Sequence, residues 1–415
     1  MYKVVVAGGG CASMSVVGQL LRSGKVSPRE VAVIDPSQYN YYQPGYTMIA
    51  GGLFGDSKEV LSKHVSNFKR EMRPLFHHEI NFFNKPVTSF LPEENAVKVG
   101  DQKVTYEHLV VATGINANFK TVEGLEDAIY DKDHPVGSIY HFDSSLKTND
   151  LIKNFKGGRA IFCQPPLPFK CGGAPQKIMY LAEDAWRKSG VRDKTQIDFF
   201  VGGEHIFVAP KYRKVLEQIC EQKGCKIHVK HLITKVDKQN RKVTFKTPEG
   251  QEVVEDYDFL HVCPPHTPQE EMKGAPICNE AGFVEVDPGS MRHVKYPNVW
   301  SLGDASNIPT VKTAAAALEQ APVMVHHMLK AFENQSSKAL YHGYSACPLF
   351  VGDDKLMLAE FKYKGENDES FYSGQDKPNK FFYHVFKNYF HHIYYNAIPK
   401  GIWFGPRTFF KPRFN

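Results

Sequence analysis

The sequence predicts an α/β protein with two Rossmann-like dinucleotide-binding domains, the second one degenerate, followed by a C-terminal aromatic region that associates with a membrane. Three observations support this prediction: a glycine-rich turn between a strand and a helix at the N-terminus, a second α/β unit that starts near residue 151, and a dense aromatic stretch after residue 379. We expect the first domain to comprise residues 1–115 and 296–335, the second residues 116–295, and the C-terminal region residues 336–415.

Length and composition narrow the function classes. A chain of 415 residues is too long for one hydrophobic core, and its 42% hydrophobic and 23% charged residues are typical of a globular protein. The net charge of +6 is modest and no dense Lys/Arg run is present, which argues against a nucleic-acid partner. The eight cysteines show neither a C-x-x-C pair nor zinc spacing, so we expect no disulfide framework and no metal site. A strand begins directly after Met1, so we expect a cytosolic chain or one numbered after removal of a presequence.

The N-terminal turn has the pattern of a dinucleotide-binding site. A buried strand over residues 2–7 leads into Gly8-Gly9-Gly10-Cys11-Ala12-Ser13, and a helix is expected over 14–23. In the G-x-G-x-x-G pattern the first glycine allows the tight turn and the second lets a pyrophosphate approach the backbone; Ser13 occupies the third glycine position. Asp35 ends the next strand, where a carboxylate accepts hydrogen bonds from a ribose. The alternative is an ordinary tight turn between a strand and a helix. The order of strand, turn, helix, strand and terminal acid favours the dinucleotide-binding site over this alternative.

Two later strands extend this pattern. Leu109-Val110-Val111-Ala112-Thr113-Gly114 is a strand that ends in a small-residue turn, typical of disulfide-reductase-like flavoproteins, although it is also an ordinary buried parallel strand. The strand over 296–304 ends in Asp304 and should return the chain to the first domain. An Ala-rich helix is then expected over 314–333, and its N-terminal amides can stabilise negative charge.

The second dinucleotide fold is expected to begin with a strand at 195–203, where related proteins bind NAD(P)H. The turn that follows, residues 201–206, lacks G-x-G-x-x-G. Glu204 would also face a pyrophosphate with like charge. We therefore interpret this lobe as a Rossmann-like remnant that does not bind a nicotinamide.

Cys171 is the strongest candidate for a reactive side chain. The strand over 160–163 leads into a Pro-rich loop that ends at Lys170-Cys171-Gly172-Gly173, and a helix follows with Pro175 in its first turn. A thiol before a helix N-terminus and near Lys170 and Lys177 has its pKa lowered toward the thiolate form. The alternative is a small buried residue in a tight loop. Cys347, in a turn before a short antiparallel unit, is the second notable cysteine.

The C-terminal stretch FFYHVFKNYFHHIYYNAIPKGIWFGPRTFFKPRF alternates aromatic and basic residues. A helix packed on the core would explain one apolar stripe. Aromatic residues on most faces, with Lys and Arg between them, favour an interfacial, monotopic membrane anchor instead.

At this point the chain resembles the flavoprotein sulfide:quinone oxidoreductases of the mitochondrial type. The resemblance covers nearly the whole chain and rests on VVVAGGG, VAVIDPS…YYQP, LVVATG, KCGGAPQKIMYLAE, YPNVWSLGDASNIPTVKTAAA and GYSACPL…LAEF. It implies FAD as cofactor and a set of FAD contacts, namely Gly8, Gly10, Cys11, Ala12, Asp35, Gln43, Val87, Thr113, Gly114, Asp304, Lys312, Thr313, Ala314, Ala315, Ala316 and Ala317. The chain departs from the family in having Cys11-Ala12-Ser13 where Ser-Gly-Gly is common, and a third redox cysteine of bacterial relatives has no evident match.

The resemblance also implies a reaction. Cys171 and Cys347 would be the redox pair: hydrogen sulfide attacks Cys347 to leave a persulfide, two electrons pass through FAD to ubiquinone, and the sulfur passes to glutathione or sulfite. The implied location is the matrix-facing surface of the mitochondrial inner membrane, and a homodimer is compatible with it. Two alternatives stay open at this point, a type II NADH:quinone oxidoreductase and a non-enzymatic flavin-binding scaffold.

Overall fold

The computed structural model describes residues 1–405. Its strands are β1 (Tyr2–Ala7), β2 (Val31–Ile34), β3 (Tyr39–Tyr41), β4 (Lys69–Glu71), β5 (Asn81–Phe83), β6 (Ser89–Leu91), β7 (Ala96–Val99), β8 (Gln102–Val111), β9 (Ile115–Ala117), β10 (Val136–Gly137), β11 (Gly158–Gln164), β12 (Thr195–Val201), β13 (Cys225–Val229), β14 (Leu232–Asp237), β15 (Lys242–Lys246), β16 (Glu252–Asp256), β17 (Phe259–Val262), β18 (His266–Pro268), β19 (Val299–Ser301), β20 (Ser345–Gly352) and β21 (Lys355–Phe361). Its α-helices are α1 (Cys11–Arg22), α2 (Gly45–Ala50), α3 (Ser57–Glu59), α4 (Val65–Phe68), α5 (Leu125–Tyr130), α6 (Phe142–Asn154), α7 (Ala174–Lys188), α8 (Pro210–Gln222), α9 (Ala314–Ala331), α10 (Lys380–Asn388) and α11 (Phe390–Asn396). The predicted α/β architecture is confirmed.

The first lobe is built on a seven-stranded sheet. Six of its strands have the order β5-β2-β1-β8-β7-β6, and the seventh, β19, pairs in parallel with residues 109–111 of β8. β1 lies in the middle and pairs in parallel with β2 and β8. Its valines at positions 4, 5 and 6 are fully buried, as expected for a strand covered on both faces. Because β19 joins this sheet, the chain returns to the first lobe just before Asp304.

The second lobe contains a five-stranded parallel sheet of order β10-β17-β11-β12-β13. β11 occupies the centre, and the chain continues to β12 and then β13 on one side, while β17 and β10 lie on the other. This is the arrangement of a Rossmann half, in which the first strand is central. The antiparallel strands β14, β15 and β16 form a separate sheet between β13 and β17 in sequence.

Residues 116–150, which precede the α/β unit predicted to start near residue 151, contain α5 and most of α6. α6 is rich in Ser, Thr, Asn and Asp, residues that compete with helical hydrogen bonding in isolated chains. Tertiary contacts offset this low helix propensity: the Thr148 hydroxyl donates to the carbonyl of Ser138, and the Asn149 side-chain amide donates to the carbonyl of Ile49. Because polar residues occupy buried positions of α6, the spacing of its apolar residues does not show the usual period of a helix.

The C-terminal region adds a hairpin of β20 and β21 and the short helices α10 and α11. Asn379 caps α10 by accepting a hydrogen bond from the amide of Phe382. The hydroxyls of Tyr394 and Tyr395 in α11 donate to Asn40, so this region is packed against the first lobe. Within residues 1–405 no helix has the length and apolar character needed to cross a membrane.

Candidate active site

The turn between β1 and α1 is shaped for close approach of a ligand. Gly8 has a φ of +106°, and a Cβ there would lie 2.4 Å from the carbonyl oxygen of Ala112, so only glycine fits. A Cβ on Gly10, in contrast, would meet no atom of the described residues within 4 Å. α1 has no side-chain N-cap, which leaves its first amides available to an anion. The helix begins at Cys11 rather than at residue 14, so the amides lie nearer the glycines than the sequence pattern predicts.

Asp35 connects the end of β2 to this turn. Its carboxylate accepts hydrogen bonds from the amide of Gly9 at 2.6 Å and from the amide of Ser37 at 2.7 Å. Both amide contacts hold the carboxylate beside the glycine-rich turn, where it remains part of the cavity wall.

A cavity of about 820 Å³ extends from the glycine-rich turn to the C-terminal helices. Every residue expected to contact FAD lines it except one: Gly8, Gly10, Cys11, Ala12, Asp35, Gln43, Val87, Thr113, Gly114, Asp304, Lys312, Thr313, Ala314, Ala315 and Ala317. Ala316 is not part of the lining; its amide donates to the Thr313 hydroxyl that caps α9, and its side chain is buried. The hydroxyl of Thr113 is buried and has no hydrogen-bond partner among the described residues.

Buried charges meet where α9 begins. Burial raises the pKa of Asp304, an effect that Lys312 and Lys170 oppose. Burial lowers the pKa of Lys170 and of Lys312, while Asp304 raises both. The Lys312 ammonium donates to the carbonyl of Ser306 at 2.6 Å. Burial and Asp304 also raise the pKa of Cys11 to about 12, so this thiol stays protonated at neutral pH.

The structure brings Cys171 and Cys347 together. Both are free thiols, and they form a hydrogen bond with each other. Cys171 has a φ of 55°, a left-handed conformation that is uncommon for a residue other than glycine and is often found at functional sites. Its amide donates to the carbonyl of Lys312 at 2.7 Å, which fixes the cysteine loop against the start of α9. Cys347 is fully buried in β20, opposite Ala359 in β21.

The two thiols differ in acidity. The hydrogen bond from Cys347 and the nearby Lys177 ammonium lower the pKa of Cys171, against the effect of burial. The Nζ atom of Lys177 lies 3.4 Å from the Cys171 sulfur. The same thiol–thiol hydrogen bond and burial raise the pKa of Cys347. The pair is therefore asymmetric, and Cys171 is the more acidic of the two thiols.

The strand order corrects the predicted position of the second dinucleotide turn. In a Rossmann half, the dinucleotide turn follows the central strand, which here is β11 and not β12. The residues that occupy this position are 165–173, the Pro-rich loop that carries Cys171. A Cβ on Gly202, in the turn first assigned to the dinucleotide, would lie 2.7 Å from the ring of Pro166. The cysteine loop thus occupies the place of a nicotinamide pyrophosphate turn.

The aromatic C-terminal region forms the far wall of the cavity, a role that the sequence pattern did not reveal. Its cavity-lining residues are Phe371, Phe381, Phe382, Val385, Phe386, Phe390, Ile393, Tyr394, Ile398 and Trp403. Phe381 in this wall and Tyr389 between α10 and α11 are 68% and 61% exposed, so the wall continues into an exposed apolar surface. Residues 406–415, the end of the stretch predicted to be a membrane anchor, with Arg407, Lys411 and Arg413, lie outside the described residues.

Comparison with known proteins matches this geometry to one family. Residues 2–151 and 200–321 match the family model described as pyridine nucleotide-disulphide oxidoreductase. The match omits residues 152–199, the unit that contains β11, the cysteine loop and α7. This is the unit in which the cysteine loop replaces a dinucleotide turn.

Two curated relatives align with nearly the whole chain. The chain is 38% identical to "Sulfide:quinone oxidoreductase, mitochondrial" of Dictyostelium discoideum, over 99% of this chain and 88% of that protein. It is 36% identical to the protein of the same name in Schizosaccharomyces pombe, over 100% of this chain and 93% of that protein.

Solved structures share the fold at low identity. A chain in the Tetrahymena thermophila mitochondrial ATP synthase has a TM-score of 0.83 at 22% identity, covering 98% of this chain and 97% of that one. The sulfide:quinone oxidoreductase of Aquifex aeolicus has a TM-score of 0.79 at 19% identity, covering 97% and 92%. NDH2 of Plasmodium falciparum in complex with NADH has a TM-score of 0.65 at 13% identity, covering 98% and 99%.

Proposed function

The chain belongs to the mitochondrial sulfide:quinone oxidoreductase family, and on that premise we propose that it oxidises hydrogen sulfide at Cys171 and Cys347 and reduces ubiquinone. The observation that carries this proposal is the contact of two thiols, distant in sequence, at a cavity that also reaches a dinucleotide turn and an aromatic wall. A scaffold without chemistry gives no reason for this arrangement.

The cavity fits FAD. Gly10 faces open space, the first amides of α1 lack a side-chain cap, and the Thr113 hydroxyl is buried without a partner among the described residues. Gly8–Ala12 and Asp35 would hold the pyrophosphate and a ribose, and Asp304 with the start of α9 would hold the rest of the cofactor. When bound, FAD supplies the two-electron chemistry that connects thiols to a quinone.

Cys347 is the residue that sulfide attacks. In the oxidised protein Cys171 and Cys347 are joined, as a disulfide or through a bridging sulfur. From the disulfide form, hydrosulfide bonds to Sγ of Cys347, the Cys171–Cys347 bond breaks, and the electron pair of that bond stays on Cys171. This leaves a persulfide on Cys347. Lys177 stabilises the thiolate released on Cys171, and a low thiol pKa makes it a good leaving group.

The cycle closes at the same two sulfurs. The outer persulfide sulfur passes to an acceptor such as glutathione or sulfite, which returns Cys347 to a thiolate. The Cys171–Cys347 bond then forms again and releases two electrons toward the quinone. Both cysteines are therefore required in every turnover.

The quinone is expected at the aromatic wall. α10 and α11 line the cavity, and Phe381 in this lining and Tyr389 between the two helices are exposed, so a lipid-soluble substrate can enter from a membrane surface. Lys380, Lys387 and Lys400 lie on the same segment and suit an anionic surface. The names of the relatives place them in mitochondria, and we propose the matrix-facing inner membrane for this chain, as a monomer or homodimer.

A type II NADH:quinone oxidoreductase is the weaker alternative, since the cysteine loop fills the place of its second dinucleotide turn. One anaerobic titration decides between them. Sulfide should bleach the flavin absorbance and a soluble quinone should restore it, while NADH should have no effect. Bleaching by NADH and not by sulfide would overturn the proposal.

A further inference from the structure

Three neighbouring strands of the second lobe end beside the cysteine pair. β10, β17 and β11 are adjacent and parallel, so the segments after their carboxyl ends converge. Tyr140 follows β10, Cys263 follows β17, and Cys171 follows β11. The ring of Tyr140 packs edge-on against His266, which also follows β17, with ring centroids 4.9 Å apart.

The Tyr140 hydroxyl is a buried donor without an established role. Tyr140 lines the same cavity as Cys171. Its oxygen is shielded from solvent, and the neighbour that it contacts is the Cys263 thiol, whose sulfur is only a weak hydrogen-bond acceptor. The Cys263 thiol donates to the carbonyl of Pro264, at 3.7 Å. A buried hydroxyl left without a good acceptor costs free energy, which a ligand that accepts its hydrogen bond would recover.

We propose that the Tyr140 hydroxyl donates a hydrogen bond to sulfur at the Cys171–Cys347 pair, and so holds the negative charge that develops there when hydrosulfide enters. This inference rests on the proposed function and adds a residue to it. Hydrosulfide bonds to Sγ of Cys347, the bond to Cys171 breaks, and its electron pair remains on Cys171; Tyr140 keeps its proton throughout.

The electrostatic surroundings of the Tyr140 hydroxyl favour a role as a hydrogen-bond donor over a role as a base. Burial raises the pKa of Tyr140 well above its ordinary value, and Cys263, Cys171 and Cys347 raise it further. Burial and Lys170 lower the pKa of His266 to about 3, so its ring is neutral. The titratable groups that act on the hydroxyl are the three thiols. The neutral His266 ring packs against the Tyr140 ring, Lys170 acts on His266, and the Lys177 ammonium lies beside Cys171.

The test compares Tyr140→Phe with Tyr257→Phe in the FAD-loaded full chain. Tyr257 is a matched control, because its hydroxyl is also buried without a hydrogen-bond partner among the described residues, but it lies outside the cavity lining that contains Tyr140 and Cys171. Tyr140→Phe should lower kcat/KM for sulfide by about ten- to a hundredfold, the effect expected for a hydrogen bond to a charged group. Tyr257→Phe should stay within twofold of wild type.

Separate half-reactions exclude a merely structural effect. In Tyr140→Phe, persulfide formation, measured by cyanolysis after one turnover without acceptor, should slow as much as kcat/KM. Reoxidation of the chemically reduced protein by quinone should not change. Equal slowing of both half-reactions, or a loss under twofold, would overturn the inference while leaving the proposed function intact, provided the wild type reduces quinone with sulfide.

Two further variants complete the design. Cys263→Ala should keep the wild-type rate; loss of persulfide formation in this variant, with a normal Tyr140→Phe, would assign the role to the thiol and overturn the inference. If Tyr140→Phe does not fold, 3,5-difluorotyrosine at position 140 keeps the ring and makes the hydroxyl more acidic. It should move the basic limb of the kcat/KM profile to lower pH, and an unchanged profile would overturn the inference.

Discussion

The ammonium nitrogen of Lys177 lies 3.4 Å from the sulfur of Cys171. Lys177 belongs to the first turn of α7, and Cys171 lies three residues before that helix begins. The positive end of the helix and a buried ammonium group therefore act on one sulfur. In the proposed reaction, this is the sulfur that leaves when hydrosulfide attacks Cys347.

Lys177→Met should raise the pKa of Cys171. Since the thiolate is the ionised form, its population in the variant is lost on the acid side first and is kept at high pH. Alkylation of the reduced protein by iodoacetamide should therefore fall about tenfold at pH 6.5 and little at pH 9. Lys188→Met is the control, because Lys188 on the same helix pairs with Asp184 at 2.7 Å and not with a thiol. Identical pH profiles in wild type and Lys177→Met would refute the role of Lys177.

Asp35→Ala should weaken FAD binding. The substitution removes the acceptor for a ribose and also leaves the amides of Gly9 and Ser37 without their partner. We expect a loss of about 1–3 kcal/mol in FAD binding free energy. Titration of the apoprotein with FAD measures it, with Asp101→Ala in an exposed turn as the control. Equal FAD affinity in both variants would count against a cofactor role for Asp35.

Membrane association should depend on exposed apolar side chains of the C-terminal helices. Phe381→Ser, Tyr389→Ser and Ile402→Ser together should release the protein from anionic liposomes, with normal FAD content, because each removes an exposed apolar group. Substitution is preferable to deletion, since Tyr394, Tyr395 and Ile398 of the same segment are buried against the first lobe. Liposome flotation is the measurement.

The control for this experiment removes equally exposed hydrophobic residues elsewhere. Tyr130, Val254 and Val294 are each more than half exposed and lie away from the C-terminal helices. Their triple serine variant should float like wild type. If both triple variants float equally, the C-terminal helices are not the membrane contact. Binding should also weaken at high salt, because lysines accompany the aromatic residues.

Local sequence patterns predicted the parts of the site that local geometry determines. The N-terminal turn, with Gly8, Gly10 and Asp35, follows from spacing, because strand, turn and helix are consecutive in the chain. The second dinucleotide turn was misplaced at 201–206, because only the strand order shows that β11 is central. The contact of Cys171 with Cys347 was expected from the family resemblance, since no spacing rule joins residues so distant in the chain.

The composition of the cavity wall is likewise not predictable from local sequence patterns. Tyr140 lines the same cavity as Cys171 because the ends of neighbouring strands converge there, and this depends on the order of the sheet. The sequence pattern of α10 and α11 predicts a membrane surface, yet many of their apolar residues line the cavity. A stretch that is apolar on several faces can serve both roles, and sequence alone does not divide them.

The most direct test of the account is sulfide-dependent quinone reduction by Cys171→Ser, Cys347→Ser and the double variant, with FAD content measured on the same samples. Each single variant should lose several orders of magnitude in turnover, and the double variant should lose no more, because the pair acts as one unit. Cys278→Ser, a free and partly exposed thiol outside the cavity lining, should be normal. FAD content should stay near wild type in all four. A Cys347→Ser protein that keeps more than about a tenth of wild-type turnover, a barrier change under ~1.4 kcal/mol, would contradict the account.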